Sequence, residues 1–229
     1  MYRLITANRN YSSWSLRPWL LMRMLDIPFE DEIVAFVSGG SYDDFRDFSP
    51  SGTVPVLVDG DRTVWDSLAI TLYLAERHPG IWPTDETARA WAQCVVAEMH
   101  GGFVSLRRRC PMNVGVRVER LPDTPGLKRE VARISELFEE GITRFGGLFL
   151  AGRDFTAANA FYAPVVFRIR SHGLDVAPKA RDYVDRILAL PAIQEWEKMA
   201  LNEAWADDSE LERSGRIIAD YRLRSGAAS

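Results

Sequence analysis

The stretch NRNYSSWSLRPW, residues 8–19, connects a predicted first strand over residues 2–7 to a predicted first helix. Proline is tolerated in the first turn of a helix, because its missing N–H would have no partner there in any case. Pro18 therefore places the start of the helix near Trp14 or Ser15. A buried strand that runs straight into such a helix is typical of an α/β domain.

Two serines fall just ahead of this helix, where backbone N–H groups are unpaired and the helix dipole favours an anion. Ser12 and Ser13 could together stabilise a thiolate, whose thiol has an ordinary pKa near 8.5. Lowering that pKa by about two units takes roughly 2.7 kcal/mol. A helix N-terminus supplies up to about 2 kcal/mol and a hydroxyl bond to a charge about 1.5–3 kcal/mol. The alternative is that both serines are simply helix N-caps.

Beyond this stretch, the first 80 residues alternate between strand and helix patterns in the order βαβαββα. Strands are predicted over residues 2–7, 32–36, 55–58 and 62–65, and helices over 16–25, 42–48 and 67–77.

After residue 84 long helical patterns replace the alternation. Helices are predicted over residues 86–109, 126–145, 157–171, 178–189 and 192–204, with no further strands and a charged tail from residue 207 that is partly helical. The chain is thus predicted to have an α/β domain over residues 1–80, a linker over 81–86 and an all-helical domain over 87–229.

A Val-Pro pair opens the third predicted strand within SPSGTVPVL, residues 49–57. A cis bond before Pro55 would leave the Val54 backbone free to pair with a peptide in the manner of a strand. The alternative is an ordinary trans proline at the start of an edge strand.

The third predicted helix of the first domain begins at Asp66-Ser67. Asp66 is a plausible N-cap. The pair could also bind a zwitterion, with Ser67 and the helix N-terminus holding a carboxylate and Asp66 pairing with the ammonium beside it.

In this order and spacing, the serine-bearing turn, the Val-Pro pair and the Asp-Ser pair resemble the glutathione transferase superfamily, whose first domain is thioredoxin-like. The start SSWS, residues 12–15, looks most like the zeta-class signature serine-serine-cysteine-serine, with Trp14 in the place of the cysteine. The stretch also resembles a branch of uncharacterised bacterial glutathione transferases. The resemblance implies an enzyme that conjugates glutathione to a small electrophile or isomerises one, with Ser12 as first choice for the activating hydroxyl and Ser13 as second.

The resemblance also implies how glutathione is held. Thr53, Val54 and Pro55 would lie along the peptide, and Asp66 and Ser67 would bind its γ-glutamyl end. The family more often has Glu or Gln in the place of Asp66. In the second domain, the segment FTAAN, residues 155–159, resembles the family's N-capping box and hydrophobic staple, an element of folding rather than of chemistry.

A co-substrate pocket is expected between the glutathione site and the long helix predicted over residues 86–109. Within one continuous helix His100, Phe103 and Arg107 would share a face, and Trp14 is a fourth candidate for the pocket. Arg107 could bind an anionic co-substrate, or it could belong to a solvated helix end. Zeta-like enzymes isomerise maleyl-type dicarboxylates, but Trp14 replaces their cysteine and the glutamine that they use is not evident near residues 40–41, so the resemblance does not extend to that reaction.

Composition limits the other classes of function. A net charge of −4 and a pI of about 5.5 argue against a nucleic-acid partner. Cys94 and Cys110 form neither a disulfide framework nor a metal site, three scattered histidines predict no metal, and free thiols suit the cytoplasm. No signal peptide and no apolar run of about 18 residues is evident, so no membrane association is expected.

Family resemblance implies a homodimer and a role in detoxification. Two alternatives stay open. One is a non-catalytic member of the fold that binds a partner, and the other is a glutaredoxin-like reductase. The reductase ranks last because Trp14 occupies the position where it would need a cysteine.

Overall fold

The structure, a computed structural model, describes residues 1–35, 42–204, 211 and 214–223. Several predictions fall outside the described residues. They are the loop around residues 38–41, the positions 40–41 where a glutamine was sought, and much of the tail.

The first part of the chain forms a four-stranded mixed sheet with helices packed on it. Strand order is β2-β1-β3-β4, with β1 and β2 parallel and β3 antiparallel to both β1 and β4. The elements are β1 (Tyr2–Ala7), α1 (Ser13–Met24), β2 (Phe29–Val34), α2 (Tyr42–Phe45), β3 (Val56–Asp59), β4 (Arg62–Val64) and α3 (Ser67–Ala75). The predicted βαβαββα order is confirmed, and α1 begins one or two residues before the start that Pro18 indicated and three before the predicted range 16–25.

The sheet brings three chain segments together at one end of its strands. In the antiparallel pairing of β1 with β3, Ile5 lies opposite Val56, so the end of β1 meets the start of β3. In the β3–β4 hairpin Leu57 lies opposite Val64, so the chain leaving β4 returns to the same end. The turn before α1, the Val54-Pro55 pair and the start of α3 therefore lie at one end of the sheet.

The second part of the chain is mainly helical, as predicted. Its helices are α4 (Glu86–Gly101), α5 (Val104–Arg109), α6 (Pro125–Phe145), α7 (Ala157–His172), α8 (Pro178–Leu188) and α9 (Pro191–Leu201). The central helix α7 is buried over nearly its whole length and packs against α1, α4 and α8. None of the helices in the described ranges is long and apolar enough to cross a membrane.

The prediction of one continuous helix over residues 86–109 is wrong. The chain leaves α4 at Gly102, which is extended, and Phe103 adopts a left-handed conformation with φ 57°. The helix α5 then starts on a cap supplied by another helix, because the Glu130 carboxylate accepts the backbone N–H groups of Ser105 and Leu106. This cap offsets the cost of breaking the helix.

The prediction that no strands follow residue 84 is also wrong. Strands β5 (Val116–Arg120) and β6 (Gly215–Asp220) form an antiparallel ribbon. Val116 and Val118 face inward with Leu211, in a small apolar cluster of their own. Residues 116–120 read VRVER, an alternation of period two that does predict a strand, but the partner strand lies about a hundred residues away in the tail that was expected to be partly helical.

The capping box predicted for the segment FTAAN, residues 155–159, is not formed, although Asn159 does accept a backbone N–H as expected. Asn159 Oδ1 accepts the backbone N–H of Leu150 at 3.0 Å and the Tyr183 hydroxyl at 3.1 Å. The Thr156 side chain at the start of α7 makes no capping bond, so Asn159 stabilises a neighbouring loop rather than closing a reciprocal capping box.

Candidate active site

Ser12 occupies the N-cap position of α1, but its hydroxyl does not cap the helix. Its Oγ instead donates to Ser15 Oγ at 2.7 Å, and Ser15 Oγ also accepts the Ala7 backbone N–H at 3.2 Å. Both serines are buried. The simple N-cap interpretation of Ser12 therefore does not hold, and the N-terminus of α1 keeps its favourable field for an anion.

The turn that carries Ser12 is clamped from the far end of the chain. The Glu203 carboxylate accepts the backbone N–H groups of Arg9 at 2.5 Å and Asn10 at 3.2 Å. Trp196 Nε1 donates to the Arg9 carbonyl at 3.0 Å. Burial raises the pKa of Glu203, although the two backbone donors favour its ionised form. Residues in α9 and just after it thus hold the turn that precedes α1.

Ser13, the second candidate, is the first residue of α1 and is also buried. Its Oγ accepts from the Arg168 guanidinium at 3.4 Å. Arg168 lies on α7 and also donates to the carbonyl of Cys110. Ser13 therefore faces a cation from the helical part, and its own hydrogen is not needed for that contact.

The Val54–Pro55 bond is cis, as predicted, and so is the Trp65–Asp66 bond. Pro55 is buried, Val54 is partly exposed and Thr53 is exposed. The Thr53 backbone is held by Ser49, whose Oγ accepts the Thr53 N–H at 3.1 Å and donates to its carbonyl at 2.6 Å.

Asp66 has two contacts at the start of α3. Its Oδ1 accepts the backbone N–H of Leu68 at 2.9 Å and of Ala69 at 3.4 Å, so the predicted N-cap is confirmed. Its Oδ2 lies 3.2 Å from Nε2 of His100 at the end of α4. Burial lowers the pKa of His100, although the neighbouring Asp66 opposes this shift, so the environment favours the neutral form of the ring.

Trp14 is the centre of the expected co-substrate region. Its ring meets the His100 ring edge to face at 5.2 Å between centroids. The guanidinium carbon of Arg17 lies 4.1 Å from the Trp14 centroid, and that of Arg107 lies 4.6 Å from it. Trp14 thus joins α1 to both α4 and α5.

The other two predicted pocket residues have different surroundings. Arg107 donates to the carbonyls of Met99, His100 and Gly102, which are the last acceptors of α4. This supports the alternative of a helix-end arginine, although the helix that it stabilises is the preceding one. Phe103 is buried in the core, with its ring 6.3 Å from that of Tyr162.

Ser67 is buried at the start of α3, and its Oγ accepts from Nη1 of Arg17 at 3.4 Å. Sequence reasoning missed Arg17, together with Arg168 and Glu203. Only the spacing of Arg17 on the apolar face of α1 could have singled it out, because Trp14, Pro18 and Leu21 share that face.

No group of three or more His, Cys, Asp or Glu side chains within the described part of the chain is arranged to bind a metal ion. Burial raises the pKa of the Cys110 thiol to about 11, which makes it a poor nucleophile.

A mixed four-stranded sheet followed by a helical part, with a serine-bearing turn, a cis Val-Pro pair and an Asp-Ser helix start at one end of the sheet, is similar to the architecture of the glutathione transferases. Residues 11–77 match the family model "Glutathione S-transferase, N-terminal domain", and the predicted resemblance to this superfamily is confirmed.

Among known proteins, the chain is 44% identical over 61 residues to dichloromethane dehalogenase of Methylorubrum extorquens, covering 26% of this chain but only 21% of that protein. It is 26% identical over 159 residues to a zeta-class glutathione S-transferase of Euphorbia esula, covering 68% of this chain and 71% of that one. The structure of human glutathione S-transferase T1-1 superposes with a TM-score of 0.62 at 26% identity, over 87% of this chain and 89% of that chain.

Proposed function

We propose that this protein is a glutathione transferase in which a serine hydroxyl at the start of α1 stabilises the glutathione thiolate. The observation that carries the proposal is the environment of Ser12, which precedes a helix without capping it and is hydrogen-bonded to a second hydroxyl. The N-terminus of α1 has no acidic residue in its first turn to compete for the same field.

The paired hydroxyls can act as a short relay toward sulfur. If both hydroxyl hydrogens rotate, Ser15 donates to Ser12 and Ser12 donates to the thiolate, while Ser15 still accepts from the Ala7 N–H. Each bond in such a chain polarises the next and strengthens the last one. Ser12 is therefore the first choice, and Ser13, which already accepts from Arg168, is the second.

The rest of glutathione would lie along the same end of the sheet. Thr53, Val54 and Pro55 would flank the cysteinyl part, with the Val54 backbone pairing as a strand does. The half-exposed carboxylate of Asp66 would bind the γ-glutamyl ammonium, and Ser67 would bind the neighbouring carboxylate. Ser67 is buried, so we expect nearby partly exposed side chains to shift as the carboxylate enters.

The electrophile would then lie against Trp14 and His100. The thiolate attacks an electrophilic carbon, a carbon–sulfur bond forms and the leaving group departs with its electron pair. An addition that reverses would isomerise the substrate instead. Arg107 adds a positive charge beside Trp14, which favours an electrophile that carries an anionic group.

The test is retention on glutathione-agarose together with conjugation of glutathione to 1-chloro-2,4-dinitrobenzene. Ser12→Ala is compared with Ser13→Ala and with Ser135→Ala, a matched control whose hydroxyl accepts the Ala177 N–H far along the chain. Retention and turnover that fall in Ser12→Ala but not in Ser135→Ala support the proposal. Retention without turnover of any electrophile or peroxide would favour the non-catalytic partner-binding alternative, and an absence of retention would refute the glutathione site.

A further inference from the structure

Arg17 is a buried cation without an anionic partner. Its side chain is fully buried, with the guanidinium carbon 4.1 Å from the Trp14 ring centroid and 4.6 Å from that of Phe161. Its Nε and Nη2 atoms have no hydrogen-bond partner, and the ion pairs of the described residues do not include it. Its single hydrogen bond runs from Nη1 to Ser67 Oγ.

The surroundings of Arg17 are unfavourable for a charge. Burial lowers the pKa of its guanidinium well below the ordinary value, and Arg107 and Arg168 shift it in the same direction. A buried charge that lacks a partner costs free energy of folding. Because groups that destabilise a fold are characteristic of binding sites, Arg17 is better explained by a ligand than by packing.

We infer that Arg17 is a positioning residue that turns Ser67 into a carboxylate site, specific for the α-carboxylate of a γ-glutamyl group. Arg17 donates to Ser67 Oγ, which leaves the Ser67 hydroxyl hydrogen to be donated to the ligand. A hydroxyl that accepts from a cation is a stronger donor, and the N-terminus of α3 adds its field. Because Arg17 acts through Ser67, it needs no direct contact with the peptide.

This inference rests on the proposed glutathione site. It assigns the ammonium and the α-carboxylate of the γ-glutamyl group to different residues. Asp66 takes the ammonium, and Ser67 backed by Arg17 takes the carboxylate. A peptide that keeps the amine but lacks the α-carboxylate should therefore lose the contribution of Arg17 and nothing else.

The experiment measures the affinity of the whole protein for two peptides by calorimetry. The peptides are glutathione and γ-aminobutyryl-cysteinyl-glycine, which has the amine without the α-carboxylate. The variants are Arg17→Met and, as matched control on the same helix, Arg23→Met, which removes an exposed arginine paired with Glu195.

The wild type is expected to bind the analogue about 10- to 100-fold more weakly than glutathione. Arg17→Met should lose a similar factor for glutathione and little for the analogue, whereas Arg23→Met should behave as the wild type. If Arg17→Met does not fold, Arg17→Lys replaces it; this variant keeps the charge without the planar fork, and several-fold loss is expected for glutathione alone.

The outcomes separate the two proposals. A wild type that binds neither peptide overturns the glutathione site itself. The role of Arg17 is overturned if the wild type binds glutathione but the Arg17 variant loses the same factor in affinity for both peptides, or loses affinity for neither. In that case the glutathione site itself is still supported.

Discussion

Replacing Ser12 by alanine removes the hydroxyl that is proposed to stabilise the thiolate and little else. A hydroxyl bond to a charged group is worth about 1.5–3 kcal/mol, which corresponds to roughly one to two units in the pKa of the bound thiol. In the folded protein the same change deletes the bond from Ser12 to Ser15, while Ser15 still accepts the Ala7 N–H. That loss is about 0.5–1.5 kcal/mol, or a few degrees in Tm for a chain of this size.

The assay follows the ultraviolet absorbance of the thiolate of bound glutathione as pH is raised, in the wild type and in Ser12→Ala. The apparent thiol pKa should rise by about one to two units in the variant, and kcat/KM at neutral pH should fall about 10- to 100-fold. Thermal unfolding of the same samples shows whether the loss of activity exceeds the loss of stability.

The reasoning is refuted if the thiol pKa of Ser12→Ala equals that of the wild type while glutathione stays bound. If Ser13→Ala shifts the pKa instead, the activating group is the hydroxyl that accepts from Arg168, and the relay through Ser15 has no role in catalysis.

Three further predictions follow from other parts of the molecule. Burial lowers the pKa of His172 to about 4, whereas a histidine in the unfolded chain has a pKa of about 6.5. The unfolded chain therefore binds a proton more readily as the pH falls, and the free energy of unfolding should decrease by roughly 2 kcal/mol between about pH 7.5 and pH 5. Urea unfolding should show this decrease, and the decrease should be smaller in His172→Gln. Glu203→Ala should leave the N–H groups of Arg9 and Asn10 unpaired at a cost of about 1–3 kcal/mol and speed hydrogen exchange in residues 8–12, and unchanged exchange there would contradict the proposed clamp. Light scattering after size exclusion should give twice the chain mass of 25.9 kDa, and a monomer mass would contradict the expected homodimer.

Two of the long helices of the second part were predictable from sequence to within a residue or two. The helix predicted over residues 126–145 is observed as Pro125–Phe145, and that predicted over 157–171 as Ala157–His172. The break near Gly102 was not predictable in the same way, because it depends on Glu130, which caps α5 from a helix more than twenty residues further along the chain. The ribbon β5–β6 likewise depends on pairing between distant segments.

The candidate site divides along the same line. Short sequence patterns were enough to mark part of the site. A predicted helix start marks Ser12 and Asp66, and a predicted strand start marks the Val54-Pro55 pair. Arg17 stands in a helix, and an arginine in a helix is ordinarily exposed at the surface. Its burial depends on Phe161 of α7, and no spacing within α1 reveals that contact.

Two contacts join the glutathione side of the site to the electrophile side. Asp66 touches His100 across the boundary between α3 and α4, and His100 touches Trp14, on which Arg17 and Arg107 both stack. On the proposed function, a ligand ammonium at Asp66 would compete with the His100 ring for the Asp66 carboxylate. A carboxylate bound through Ser67, as proposed, would at the same time relieve the repulsion between the two guanidinium groups beside Trp14. Since both effects would reach the ring that the electrophile is proposed to contact, we expect binding of the amino-acid head of glutathione to change the charge around the second substrate before any thiol chemistry occurs.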